Sequence, residues 1–97
     1  LVRDCERAPN PASKNNCIAW YQSLTETEIL KARELIETAL VAHPERAEFL
    51  DTLSVVLEAI GEAQGARDAS WRAARKNPKD VYLFTQALRL EAGLDPE

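Results

Sequence analysis

The chain has 97 residues, 45% hydrophobic and 29% charged, which is ordinary for one folded domain and unlike a disordered segment. Its net charge of −4 argues against non-specific nucleic-acid binding, because such binding needs a basic surface. No apolar run approaches the roughly 20 residues that cross a bilayer, and the first residues do not have the pattern of a signal peptide.

The N-terminal residues 1–14 are predicted to form an irregular arm, because Pro9 and Pro11 cannot continue a helix. The chain contains no methionine, so we expect a processed product or a fragment of a longer protein. Cys5 and Cys17 flank the segment without a helical pattern, which favours a disulfide over two free thiols, one of them buried. A bridge would indicate an extracytoplasmic compartment, periplasmic or secreted, whereas free thiols would suit the cytoplasm.

The next two predicted helices form a hairpin. The first covers residues 15–24, with Ser13 as its candidate N-cap. The second covers residues 26–42 and begins in Thr25-x-x-Glu28, a pattern typical of a capping box. Its apolar residues recur at helical spacing and make one stripe, which consists of Ile29, Ala32, Leu35, Ile36, Ala39 and Leu40.

Three further helices are predicted at residues 45–60, 62–76 and 81–92 from the same periodicity. Asp80 can cap the last of them. Leu90 on that helix is expected either to be buried on the preceding hairpin or to be exposed for association.

Landmarks recur along these helices at an interval of 34 residues. Pro44 and Pro78 are 34 residues apart (78 − 44 = 34), and the same interval relates Ala32 to Ala66 and Ala39 to Ala73. Small residues at a fixed spacing, closed by a proline, are typical of a helical-hairpin repeat.

The second hairpin resembles the tetratricopeptide repeat (TPR) family in the residues Leu50, Leu53, Ser54, Leu57, Gly61, Ala66, Ala73 and Pro78. The resemblance implies an all-α fold, a right-handed superhelical stack of antiparallel helix pairs. It places helical hairpins at residues 15–43 and 44–78 and a capping helix with a tail at 79–97. Ser70 departs from the pattern, since the family prefers a bulky aromatic residue at that position.

In TPR proteins the first helices of successive hairpins line a concave groove. The resemblance therefore implies a protein–protein interaction scaffold that binds a peptide or helix of a partner. On this sequence the groove positions are Asn16, Trp20, Glu48, Asp51, Thr52, Val55, Tyr82, Thr85, Gln86 and Arg89. The alternative function is a structural or self-associating segment of a larger bacterial envelope or secretion assembly, as a homo-oligomer or as part of a longer chain.

Residue patterns for catalysis are weak in this sequence. His43 is the only histidine, so a Ser-His-Asp set is not expected, and three glycines do not make a phosphate-binding loop. Glu58 and Glu62 could in principle do acid–base work, but exposed helical glutamates are far more often solvated. We therefore expect no enzyme activity, no cofactor, no metal site and no nucleic-acid partner.

Overall fold

The computed structural model describes residues 2–25 and 28–93, and all regular structure within them is helical. A 3₁₀ helix, Val2–Arg7, precedes five α-helices, which are α1 (Pro11–Thr25), α2 (Ile29–Ala42), α3 (Ala47–Ile60), α4 (Ala63–Lys76) and α5 (Val81–Glu91). Consecutive helices pack as antiparallel neighbours, and α1 also packs against α3. The predicted all-α class is confirmed.

The N-terminal arm is shorter than predicted, because α1 begins at Pro11 rather than at Asn15. Proline is well suited to the first position of a helix, where its missing N–H would have had no partner anyway. Asn10, not Ser13, is the N-cap: its side-chain Oδ1 accepts a hydrogen bond of 2.8 Å from the Ser13 backbone N–H. The predicted irregular arm also contains the 3₁₀ helix.

The predicted capping box at the start of α2 is wrong, because Thr25 is the last residue of α1. Glu28 occupies the N-cap position, has a φ of 48°, and makes no side-chain hydrogen bond that caps the helix. Helix α2 therefore begins at Ile29, three residues later than predicted (29 − 26 = 3), while residues 26 and 27 lie outside the described part of the chain.

Local residues define two other helix ends, of which the Asp80 cap was predicted. Gly61 follows α3 with a φ of 99°, and its N–H donates to the Leu57 carbonyl at 3.1 Å. This left-handed conformation is readily adopted by glycine. Asp80 caps α5, since its carboxylate accepts hydrogen bonds from the backbone N–H groups of Tyr82 and Leu83.

The core consists of three linked groups of buried apolar side chains. The first joins α1, α2 and α3 through Ala19, Ala32, Ile36, Ala39, Phe49 and Val56. The second joins α3, α4 and α5 through Leu50, Ala73, Ala74, Leu83 and Ala87. The third contains Leu57, Ala66 and Leu90. Leu90 is therefore buried on the preceding hairpin, the first of its two predicted placements.

Alanines let the helices approach closely at these contacts, because a short side chain leaves room for the neighbouring backbone. Ala66 and Ala73 on α4, two of the alanines that recur at the 34-residue interval, are both fully buried. Ser70 is buried between them, and the adjacent Trp71 is half-buried and packs edge-to-face on Phe84, with ring centroids 5.8 Å apart.

The predicted disulfide between Cys5 and Cys17 is confirmed, with their Cα atoms 5.4 Å apart. It fastens the 3₁₀ helix to α1, against which that helix also packs. Within the described residues, no helix combines the length and apolar character needed to cross a membrane.

Candidate functional site

One open pocket of about 540 Å³ lies where α1, the first half of α3 and the start of α5 meet. This volume is within the range of pockets that hold a small ligand or a few side chains, on the order of 300–1,000 Å³. The lining residues, called the groove below, are Asn16, Cys17, Trp20, Tyr21, Ala47, Glu48, Asp51, Thr52, Asn77, Asp80, Tyr82 and Leu83.

Helix α1 supplies the aromatic wall of the groove. Asn16 and Trp20 are four residues apart, as are Cys17 and Tyr21, so these side chains share one face of the helix. All four are half-buried in the described structure. The disulfide at Cys17 holds the neighbouring 3₁₀ helix beside this wall.

Helix α3 supplies Asp51, which is the most unusual ionisable group of the groove. Its side chain is only 6% exposed, and burial raises the pKa of its carboxyl group to about 6 from 3.8. The negative charge of Asp80 raises this pKa further, whereas a hydrogen bond from Tyr82 opposes the shift. The Asp51 Oδ1 atom is buried and has no hydrogen-bond partner among the described residues.

Helix α5 contributes Tyr82, whose side chain is 45% exposed at the edge of the groove. Partial burial raises the pKa of its hydroxyl to about 12, and the nearby charge of Asp51 acts in the same direction. The hydroxyl therefore stays protonated across the physiological range and can act as a hydrogen-bond donor.

Two further carboxylates of the groove lie at helix N-termini. Asp80 caps α5, and Glu48 lies in the first turn of α3, where negative charge stabilises a helix. Glu48 also contacts Arg46, with 3.5 Å between Oε1 and Nε, but both side chains are exposed, so this pair is weak.

The structure brings together most of the predicted groove residues, which are Asn16, Trp20, Glu48, Asp51, Thr52 and Tyr82. It places Val55, Thr85, Gln86 and Arg89 outside the pocket, farther along α3 and α5. Thr85 is exposed and Val55 is half-buried.

Arg89 forms a bidentate ion pair with Glu58, with both Nη–Oε distances at 2.8 Å. Its Nε also donates to Gln86 Oε1 at 3.0 Å. Only 14% of the Arg89 side chain and 25% of the Glu58 side chain are exposed, so the pair links α5 to α3 away from bulk water. Arg89 thus has a structural contact that the sequence reasoning did not anticipate.

The sequence reasoning missed Cys17, Tyr21, Ala47, Asn77, Asp80 and Leu83 as lining residues. Ala47 could have been found, because it lies four residues before Asp51 on the same face of α3. Asn77 and Asp80 carry no such signal, since they belong to the connection between α4 and α5 and the repeat pattern describes only helices.

Glu58 and Glu62, the two glutamates considered for acid–base chemistry, each form an ion pair with an arginine. Glu58 binds Arg89, and Glu62 lies 3.0 Å from the Nη1 atom of Arg33 on α2. Among the described residues, no group of three or more His, Cys, Asp or Glu side chains could hold a metal ion.

His43 ends α2 as its C-cap residue, and its backbone N–H donates to the Ala39 carbonyl. Its ring packs edge-on to Phe49 at 5.8 Å between ring centroids.

Comparison of the chain with protein-family models, with curated proteins and with solved structures gave no match. The resemblance to TPR proteins therefore rests on the residues and the 34-residue spacing described above.

Proposed function

We propose that this chain is a protein-binding module whose groove holds an extended segment of a partner protein. The observation that supports this proposal is the pocket itself, since six of the ten residues expected to line a TPR groove surround one open cavity. Sequential antiparallel helices, with α1 packed on α3, suit a TPR-like superhelical stack, which is part of the same proposal.

The composition of the groove fits peptide recognition. Trp20, Tyr21 and Tyr82 offer large contact areas with few rotatable bonds, a property of residues that dominate binding energies at interfaces. Asn16 and Thr52 add polar groups that can fix the orientation of a bound backbone.

We expect Tyr82→Ala to weaken peptide binding by about 1–2 kcal/mol, or roughly 5- to 30-fold in Kd. The substitution removes one aromatic side chain that is already 45% exposed, so the fold should be retained. The probes are peptides selected from a random 12-residue phage-displayed library on the immobilised chain, and their Kd values are measured by fluorescence anisotropy.

Phe84→Ala is the matched control, because Phe84 is an aromatic residue of similar exposure on the same helix but outside the groove. It should leave the Kd of the selected peptides unchanged. Failure of the library to yield binders, or equal Kd values for the parent chain and Tyr82→Ala, would show that the groove is not a peptide site.

A second candidate function, self-association through α5, is supported by an exposed apolar face. Val81 is 77% exposed, Leu88 is 51% exposed, and Phe84 lies between them at 41%. These residues are spaced by three and four positions, so they lie on one side of the helix. We refer to them as the α5 patch, and the proposed occupant is the α5 patch of a second copy.

Charge complementarity favours an antiparallel arrangement of two such helices. Exposed Lys79 precedes the α5 patch and exposed Glu91 follows it, so antiparallel packing about Phe84 brings each lysine near the glutamate of the other copy. Such an interface has two-fold symmetry and closes on itself.

Sedimentation equilibrium tests this second candidate. The parent chain should dimerise with increasing concentration, and Leu88→Glu should remain monomeric because a charge would be buried in the interface. Leu30→Glu is the matched control, since Leu30 is 72% exposed on α2 rather than on α5. A parent chain that stays monomeric at millimolar concentration would exclude the dimer.

The disulfide is compatible with an oxidising compartment, since such bonds persist outside the reducing cytosol. We therefore place the proposed binding module outside the cytoplasm, in a bacterial periplasm or as a secreted protein. The wider role in a bacterial envelope or secretion assembly is part of the second candidate function.

A further inference from the structure

We propose that the groove selects a basic side chain, lysine or arginine, from the partner segment. This inference rests on the proposed peptide-binding function and specifies the chemistry of the residue that enters the pocket. It is carried by buried acceptors without partners, by an excess of carboxylates and by the aromatic wall.

Two buried oxygen atoms of the groove lack partners among the described residues. They are Oδ1 of Asp51 and Oδ1 of Asn16, both of which belong to residues that line the pocket. A buried acceptor without a donor is costly, and most such groups in folded proteins are satisfied. Lysine and arginine side chains carry only N–H donors, so they offer what these acceptors lack.

The charge of the groove also favours a cation. Its lining contains the carboxylates of Glu48, Asp51 and Asp80, and within residues 2–25 and 28–93 it includes no lysine, arginine or histidine. The N-termini of α3 and α5 together contribute about one positive charge, which offsets part of this excess. The positive ends of these helices offset the charges of Glu48, in the first turn of α3, and of Asp80, the N-cap of α5. The charge of Asp51 is the one that no helix N-terminus offsets.

The aromatic wall is consistent with the same ligand. Trp20, Tyr21 and Tyr82 line the same pocket as the three carboxylates, and the face of an aromatic ring attracts an ammonium or guanidinium group. The aliphatic stem of lysine or arginine can pack against these rings while its charged end reaches the carboxylate. A metal ion is a poorer fit, because the described carboxylates do not form a group that could hold one.

The test uses synthetic pentapeptides, blocked at both ends, with the central residue changed between lysine, arginine, norleucine and glutamate in an otherwise all-alanine sequence. Binding to the full chain is followed by two-dimensional NMR of the ¹⁵N-labelled protein, including the indole N–H signal of Trp20. The lysine or arginine peptide should shift the signals of Trp20, Asp51 and Tyr82. The norleucine peptide, which keeps the four-carbon stem of lysine but lacks its ammonium group, should bind at least about tenfold more weakly.

Asp51→Asn should weaken binding of the basic peptide by about tenfold or more while keeping the shape of the pocket. Asp68→Asn is the control, because Asp68 is exposed on α4 outside the groove, and its peptide affinity should equal that of the parent chain. Equal binding of the norleucine and lysine peptides at the groove would overturn the basic-residue inference but leave peptide binding intact.

A lysine peptide that moves no groove signal at millimolar concentration would also overturn the inference. The peptide-binding proposal would then be decided separately by the library selection and the Tyr82→Ala comparison, which do not depend on charge.

Discussion

Reduction of the Cys5–Cys17 disulfide is expected to lower the free energy of unfolding by about 2–3 kcal/mol in the loop-entropy description. The bridge joins residues 12 apart in sequence and limits the conformations of the unfolded chain. It also attaches the 3₁₀ helix to α1, where Cys5 is only 1% exposed. Urea denaturation of the oxidised and reduced chain, followed by circular dichroism, measures the difference.

The double variant Cys5→Ala/Cys17→Ala serves as the control for the reductant. The chain has two cysteines in all, so this variant should unfold at the same urea concentration with and without the reductant. Its midpoint should lie near that of the reduced parent chain. Equal midpoints for the oxidised and reduced parent would mean that the disulfide contributes nothing to stability.

The helices of the second hairpin could be predicted well because their signals are local. Apolar residues at helical spacing indicate α3, and Gly61 marks its end. Asp80 likewise marks the start of the following helix, α5. None of these signals depends on distant residues. The alanines at 34-residue spacing likewise identified buried contacts, because only small side chains fit where helices approach closely.

The start of α1 could not be placed as well, since two local rules compete there. Pro9 and Pro11 interrupt a helix that has already formed, but a proline is favourable in the first turn of a helix that is beginning. Asn10 resolves the competition because its side chain caps the new helix. The Thr25-x-x-Glu28 pattern wrongly predicted the N-terminus of a helix, because Thr25 is the last residue of α1.

The sequence could predict site residues that lie on helices, but not those in the connections between helices or the pairing of side chains. The resemblance to TPR proteins named Trp20, Asp51 and Tyr82 as groove residues, and all three line the groove. The ion pair between Arg89 and Glu58 joins residues 31 apart, and no repeat spacing indicates it. Side-chain pairing of this kind depends on the angle between α3 and α5, which the sequence pattern does not specify.

Asp51→Asn is expected to raise the free energy of unfolding, relative to the parent chain, by about 2–3 kcal/mol more at neutral pH than at acid pH. This magnitude follows because a shift of one pKa unit corresponds to about 1.4 kcal/mol. The cause is burial of the Asp51 carboxyl group, which raises its pKa from 3.8 to about 6 in the folded chain. The neighbouring Asp80 adds repulsion, and a hydrogen bond from Tyr82 offsets part of the effect.

The direction of the pH dependence follows from proton binding. Between a pH of about 4 and a pH of about 6 the folded state holds a proton on Asp51 that the unfolded state has released. The contribution of Asp51 to stability is therefore fully present below the unfolded pKa, falls as the pH rises through this window, and stays low above it. Asparagine has the same shape and does not titrate, so the variant escapes this loss.

Urea denaturation of both chains at about pH 4 and about pH 7.5 gives the free energy of unfolding of the variant minus that of the parent. The change in this difference between the two pH values measures the effect, because any constant effect of the substitution cancels. Asp68→Asn, the same substitution at an exposed position on α4, is measured alongside as the control. A difference for Asp51→Asn that is the same at both pH values would contradict the raised pKa. If the stabilised variant also fails to bind the lysine peptide, then Asp51 lowers the stability of the fold and contributes to binding the partner. Such a trade-off is expected where a binding site keeps a hydrogen-bond acceptor buried before the ligand arrives.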